Sequence, residues 1–130
     1  MDGGSNRQVA ARHGKGLLMN AAVRINGVTR IVDIEGHIDL GTSPALRKTM
    51  LESLKSSERL AANLSQVVYI DSSGIATLLE VLKESNHTGK RFMLFGLTTG
   101  VREVLQLTRL TGVFEIHESE EDVLNAKAKG

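Results

Sequence analysis

The 130-residue chain contains no cysteine and no tryptophan, a single proline and only 3% aromatic residues. The lack of cysteine excludes disulfide scaffolds, thiolate zinc sites and cysteine nucleophiles. So few aromatic side chains argue against a protein that stacks bases or grips sugars. The chain also lacks an apolar run of about 20 residues, the length of a membrane span, and the apolar stretch of a signal peptide. We therefore expect a small cytoplasmic protein with no membrane span.

Neither charge sign dominates the composition. Lys and Arg number 16 and Asp and Glu 15, a formal net charge of +1. This balance argues against direct binding of nucleic acid, which usually requires a strong basic excess. The hydrophobic content of 41% and charged content of 24% are typical of one globular domain. Nothing in the composition calls for an obligate dimer, so we expect a monomer or a weak dimer.

The first twenty residues differ from the rest of the chain. Residues 1–20 mix glycine, basic and small side chains without a sustained period. This pattern predicts a flexible N-terminal tail, with a partner-binding arm as the alternative. The folded domain is then expected to cover residues 21–127.

From residue 21 onward, hydrophobic periodicity indicates alternating strands and helices. Asn26-Gly27 is a strong hairpin signal between two strands, and residues 67–70 extend a later strand with a buried character. Ile75, Leu78 and Leu82 share one helical face. The predicted order is β-β-α-β-α-β-α-β-α. It indicates an α/β fold with a four- to five-stranded mixed sheet and about four helices packed mainly on one face.

The sequence contains no complete ligand-binding motif. Gly89-Lys90 resembles the end of a phosphate-binding P-loop, but Arg91 stands where that motif needs Ser or Thr. Gly89 is more simply the end of a helix. The four histidines share no metal-ligand spacing. We therefore expect neither a cofactor nor a metal.

A hydrolase would have to use Ser72 with His37 and Asp39. A nucleophile elbow needs glycine two residues before and two after the serine. Ile70 occupies the first of these positions, and Gly74 the second. The incomplete motif favours a protein that is not an enzyme.

The segment Asp71-Ser72-Ser73-Gly74 is open to two interpretations. Asp, Ser and Gly are ordinary turn and N-cap residues between a strand and a helix. The same segment also lies at the carboxyl end of a predicted strand, where open α/β sheets place their binding sites. A serine at a helix N-terminus is well placed to carry a phosphate, because the free N–H groups and the helix dipole stabilise the added charge.

Three groups of residues carry a resemblance to a known family. Residues 36–39 (GHID) resemble its Gly-x-Leu/Ile-Asp motif after the second strand. Residues 64–74 (LSQVVYIDSSG) resemble its most specific motif, which ends in Asp-Ser-Ser/Thr-Gly. Residues 101–105 (VREVL) and 113–114 (VF) resemble its third helix and the strand that follows. From residue 21 to residue 126, the sequence resembles the bacterial anti-sigma-factor antagonists with the STAS domain fold.

The resemblance implies a partner-switching role. It implies that Ser72 is the phosphorylation site and that the partner-binding surface includes Asp39, Asp71, Ser73, Gly74 and Ile75. The unphosphorylated family member binds an anti-sigma factor that is also a serine kinase, and the sigma factor is released. The kinase, using its own ATP and Mg²⁺, phosphorylates the serine and the complex dissociates. A serine phosphatase resets the cycle.

Some positions depart from the family pattern. His37 stands where Glu or Arg is more usual, a change that would retune the choice of partner. Residues 98–100 (TTG) replace a Ser-Pro turn, and residues 109–112 (RLTG) replace a Thr-Gly-Leu sequence. STAS domains also serve as subunits of lipid-transport ATPases or as scaffolds of stress-sensing complexes, and this role is the alternative expectation.

Overall fold

A computed structural model describes residues 7–13 and 17–127 of the chain. These residues form one six-stranded sheet and four helices. The strands are β1 (Arg7–His13), β2 (Leu17–Asn26), β3 (Thr29–Ile38), β4 (Arg59–Ile70), β5 (Arg91–Phe95) and β6 (Glu115–His117). The helices are α1 (Ser43–Lys55), α2 (Ser72–His87), α3 (Thr99–Leu107) and α4 (Glu120–Asn125).

The strands follow one another across the sheet in chain order. β1, β2 and β3 pair antiparallel, and the β2–β3 hairpin turns at Gly27, which has a φ of +64°. β3, β4, β5 and β6 pair parallel, with α1, α2 and α3 as the connections. This arrangement confirms the predicted mixed sheet. It also brings the carboxyl ends of β3, β4 and β5 to one edge of the sheet, which we call the carboxyl edge.

The main hydrophobic core lies on one face of the sheet. α1, α2 and α3 pack their apolar side chains there against alternate strand residues such as Val32, Leu60 and Leu94. α4 covers part of the second face, where Val123 packs with Ile31, Ala61, Met93 and Phe95. Three of the four helices thus share a face, as predicted. No helix of the described residues is long and apolar enough to span a membrane.

The start of the sheet differs from the predicted domain boundary. β2 begins at Leu17, and β1 lies antiparallel beside it, with Arg7 opposite Val23 and His13 opposite Leu17. The sheet therefore has one strand more than the four to five expected, and part of the predicted tail belongs to it. Backbone hydrogen bonds can add an edge strand whatever its side-chain period, which is why periodicity did not indicate β1. Residues 1–6 and 14–16 of the predicted tail lie outside the described residues.

The second half of β4 is bulged. Its pairing with β3 shifts register twice, between Asn63 and Gln66 and again between Val67 and Tyr69. Each bulge adds a residue to β4 and turns the following side chains. Val68 and Tyr69 are therefore 71% and 49% exposed. This corrects the expectation that residues 67–70 are all buried, because only Val67 and Ile70 reach the core.

Candidate functional site

The loops that follow β3 and β4 lie side by side at the carboxyl edge. The Asp71 N–H donates to the carbonyl oxygen of Ile38 at 3.1 Å, so the two strands remain joined to their last residues. The chain then turns into α1 through Asp39 and into α2 through Asp71. The two motifs that the sequence places far apart, around residues 39 and 72, are therefore neighbours in the fold.

Asp71 is the N-cap of α2. One of its carboxylate oxygens, Oδ1, accepts from the backbone N–H groups of Ser73 (2.9 Å) and Gly74 (3.2 Å). The same oxygen accepts from the Ser73 hydroxyl at 2.6 Å. These bonds satisfy N–H groups that have no partner within the helix. The N-cap interpretation of this segment is correct, and it leaves the other serine available.

The two serines at the start of α2 have different environments. Ser72, the first residue of the helix, is exposed, and its hydroxyl makes no hydrogen bond with any described residue. Ser73 is half-buried and its hydroxyl is held by Asp71. A modifying enzyme can therefore reach the Ser72 oxygen without breaking an internal bond, whereas reaction at Ser73 would remove a contact with the cap.

Asp39 shapes the loop that leads into α1. Its side chain is 6% exposed, and its Oδ1 accepts from the backbone N–H groups of Gly41 (3.0 Å) and Thr42 (3.1 Å). The Thr42 hydroxyl in turn accepts from the Asp39 N–H at 2.9 Å. Asp39 thus lies beside the Ser72 loop, as the resemblance implies, but it is bound within its own turn. In this turn Asp39 is buried and the next residue, Leu40, is exposed.

Gly74 and Ile75 lie beneath the surface. Both are buried, and Ile75 packs in the main core. A Cβ atom at Gly74 would meet Ile70 Cγ1 at 2.6 Å and Ile38 Cγ2 at 2.7 Å. Any contribution of these two residues to partner binding would therefore act through the position of α2 rather than through direct contact.

Ser72, His37 and Asp39 are not arranged as a catalytic triad. The His37 ring packs beside Tyr69, with ring centroids 6.0 Å apart. A triad needs the serine hydroxyl within hydrogen-bond reach of the histidine base, and the Ser72 hydroxyl has no such partner among the described residues. No group of three or more metal-ligating side chains occurs within residues 7–13 and 17–127 either.

The described segments at the carboxyl edge are acidic. Residues 17–20, 35–42, 64–76 and 96–101 contain three carboxylates and no Lys or Arg. The carboxylates belong to Glu35, Asp39 and Asp71. Arg12 of β1 lies opposite Leu18 at this edge, two strands away from β3. A phosphate on Ser72 would therefore add negative charge beside carboxylates, with no cation from these segments to neutralise it.

The chain is similar to proteins of one family. The family model of the STAS domain matches residues 20–123. An anti-sigma-B factor antagonist of Staphylococcus aureus is 25% identical over 91 residues, which cover 69% of this chain and 84% of that protein.

Solved structures share the fold. An anti-sigma factor antagonist from Mycobacterium paratuberculosis superposes with a TM-score of 0.69 at 24% identity, covering 82% of this chain and 91% of that one. The Bacillus cell fate determinant SpoIIAA in its phosphorylated form superposes with a TM-score of 0.63 at 18% identity, covering 81% and 96%.

Proposed function

The chain belongs to the STAS domain family, and from this premise we propose that it is an anti-sigma factor antagonist switched by phosphorylation of Ser72. The unphosphorylated protein binds an anti-sigma factor that is a serine kinase, so that the sigma factor is released. The name of the Staphylococcus aureus relative and the phosphorylated form of SpoIIAA support this proposal.

The accessibility of Ser72 carries the assignment of the phosphoacceptor. Its hydroxyl is exposed and without a described hydrogen-bond partner at the first position of α2, while Ser73 donates to Asp71. The Ser73 and Gly74 N–H groups already donate to Asp71, so a phosphate on Ser72 is stabilised mainly by the positive end of the α2 dipole. Phosphorylation is therefore compatible with the folded domain and acts on its surface.

The added charge is large enough to operate a switch. A phosphoserine carries about −1.5 to −2 charges at pH 7, and at the carboxyl edge it joins Asp39 and Asp71. Leaving such a charge buried and unpaired in an interface costs about 2–5 kcal/mol. This cost corresponds to roughly 30-fold to several thousand-fold in affinity. The chain performs no chemistry in this cycle: the kinase supplies ATP and Mg²⁺, and a serine phosphatase in the cytoplasm removes the phosphate.

Phosphorylation by a cognate kinase tests the proposal directly. Each anti-sigma serine kinase encoded in the source genome is purified and incubated with the chain and ATP, and the peptides are analysed by mass spectrometry. We expect one phosphate, on Ser72, and we expect it also in the control Ser73→Ala, which keeps the accessible hydroxyl. An unmodified Ser72 peptide with every kinase would favour a transporter subunit or a scaffold instead.

Two substitutions at Ser72 separate binding from release. Ser72→Ala removes the phosphoacceptor without adding charge, so it should bind the kinase but remain bound when ATP is added. Ser72→Asp places a carboxylate on the proposed contact surface and should bind poorly. Calorimetric titration with the kinase, with and without ATP, measures both. Equal affinities of the wild type and Ser72→Asp would contradict a switch based on charge.

A further inference from the structure

Large side chains are exposed on the second face of the sheet close to the carboxyl edge. They are Leu18 from β2 and Val68 and Tyr69 from β4, and the half-buried His37 of β3 lies between these two strands. Leu18 is 40% exposed, and Val68 and Tyr69 are more exposed still. We call these four residues the second-face strip.

The register of the strands brings the strip together. His37 is paired with Tyr69 across β3 and β4, and their rings lie 6.0 Å apart. Met19 is paired with Gly36, so its neighbour Leu18 lies at the same level of the sheet. Met19 points into the main core, and Leu18 therefore faces the opposite side, because successive strand residues alternate.

The described elements leave this half of the second face open. α4 lies over the other half, where Val123 belongs to a buried cluster with Ile31, Met93 and Phe95. Arg59, at the start of β4, holds the end of that helix by donating to the Val123 and Ala126 carbonyl oxygens at 2.7 and 3.2 Å. Pairing of β4 with β5 also stops at Asn63. The second half of β4 therefore has one strand neighbour in the described sheet, and its outward side chains have no helix above them.

The strip is continuous with the Ser72 loop. Tyr69 precedes Ser72 by three residues, and His37 precedes Asp39 by two. A protein that contacts Ser72 therefore meets the strip as soon as its contact extends around the edge of the sheet. Leu18, Val68 and Tyr69 carry no charge, so the strip itself provides mainly apolar and aromatic contact, and Arg12 of β1 lies opposite Leu18 at its margin.

We propose that the partner bound at the Ser72 loop also covers the second-face strip with an uncharged, apolar part of its surface. This inference rests on the proposed function, and it assigns binding affinity and switching to different residues. The strip supplies affinity through buried apolar and aromatic area, with Tyr69 as its main anchor, since tyrosines commonly dominate interface energetics. Ser72 supplies the switch, because only its charge changes between the two states.

Affinity measurements on the full chain test the strip. Tyr69→Ser and Leu18→Ser remove exposed apolar contact area without introducing charge. The matched controls Val28→Ser and Leu107→Ser do the same at side chains that are 77% and 83% exposed and lie outside the strip. All four variants are titrated calorimetrically with the anti-sigma serine kinase that phosphorylates the wild type, after thermal melts have shown that they are folded.

We expect Tyr69→Ser to weaken binding about tenfold or more, the effect of losing an interface anchor. Leu18→Ser should show a smaller loss, and both controls should bind within about twofold of the wild type. Backbone hydrogen exchange at the start of β2 and the end of β4 should also be slower in the complex than in the free chain.

The possible contrary results can be told apart. If the wild type binds the kinase and Tyr69→Ser binds equally well, the strip is not part of the interface and the phosphorylation switch stands. If the controls weaken as much as Tyr69→Ser, the effect is not specific to the strip and the inference is wrong. If the wild type binds no anti-sigma kinase, the proposed function fails and the inference fails with it.

Discussion

At Gly74 the first turn of α2 comes so close to the strand ends that only a hydrogen fits. A Cβ atom there would lie within 2.7 Å of both Ile38 and Ile70 side-chain carbons. We predict that Gly74→Ala destabilises the fold by about 1–3 kcal/mol, the usual cost of overpacking a core. Because the clash would push α2 away from the sheet, phosphorylation of Ser72 should also slow. Urea denaturation and kinase assays measure the two effects.

Gly100 provides a matched control in the first turn of α3. An added Cβ there meets nothing within 4 Å, so Gly100→Ala should be neutral or slightly stabilising, since alanine favours helix. Equal destabilisation by the two substitutions would contradict the explanation of Gly74 by close packing.

The capped start of α2 beside Ser72 was predictable from the sequence. Asp, Ser and Gly between a strand and a helix indicate a capped helix start, and Asp71 is that cap. The sequence does not show which serine the cap would hold, because this depends on the direction of the Ser73 hydroxyl. It also does not show that Asp39 is 6% exposed, since a turn can bury a carboxylate among backbone N–H groups.

Among the strands, β3 depends on a glycine in its second half. Gly36 has a φ of +96°, and a Cβ atom there would collide with the Leu18 carbonyl oxygen in β2. Gly27, in the β2–β3 turn, also has a positive φ, but an added Cβ meets nothing within 4 Å. The same substitution at the two positions therefore separates backbone strain from a clash between strands.

We predict that Gly27→Ala costs about 1–2 kcal/mol from strain alone. Gly36→Ala should cost clearly more, because it adds a collision with backbone atoms that cannot rotate away. Chemical denaturation of both variants at one pH gives the comparison. Similar losses in the two variants would show that β2 can move aside at Leu18.

The elements that the sequence indicated best are those with local chemical signals. The Asn26-Gly27 signal marks the hairpin, although the turn residues are Gly27 and Val28 because Asn26 pairs with Thr29. Ser119 caps α4 by accepting from the Asp122 N–H at 3.2 Å, and Gly89 follows α2 with a φ of +72°. The bulges of β4 have no such signal. They depend on how β4 aligns with β3, so the outward positions of Val68 and Tyr69 could not be predicted from the apolar run.

On the scale of the whole molecule, the parallel order of the strands after the hairpin was predictable, because helices alternate with strands. The way in which α4 is held over part of the second face was not predictable. The Arg24 guanidinium donates to Asp33 at 2.6 Å and to Glu120 at 2.6 and 2.9 Å, and Asn26 donates to Glu120 at 2.7 Å. The bonds to Glu120 join residues more than 90 positions apart, and no spacing in the sequence indicates such a pairing.

The Arg24–Glu120 pair should make the stability of the molecule depend on pH. The hydrogen bond from Arg24 lowers the pKa of Glu120, against a smaller opposing effect of burial. A carboxyl group with a lowered pKa in the folded state stabilises that state at neutral pH, and the contribution is lost as the pH falls through the folded-state value. We predict that Glu120→Gln lowers the free energy of unfolding at pH 7. It should also narrow the difference between the free energies of unfolding measured at pH 7 and pH 3.

Glu80, which pairs with Arg47 in a more exposed setting, is the control. Because solvent screens the Arg47–Glu80 pair, Glu80→Gln should change the pH dependence of stability less than Glu120→Gln does. Equal changes in the two variants would show that the Arg24–Glu120 pair stabilises the fold no more than an exposed ion pair.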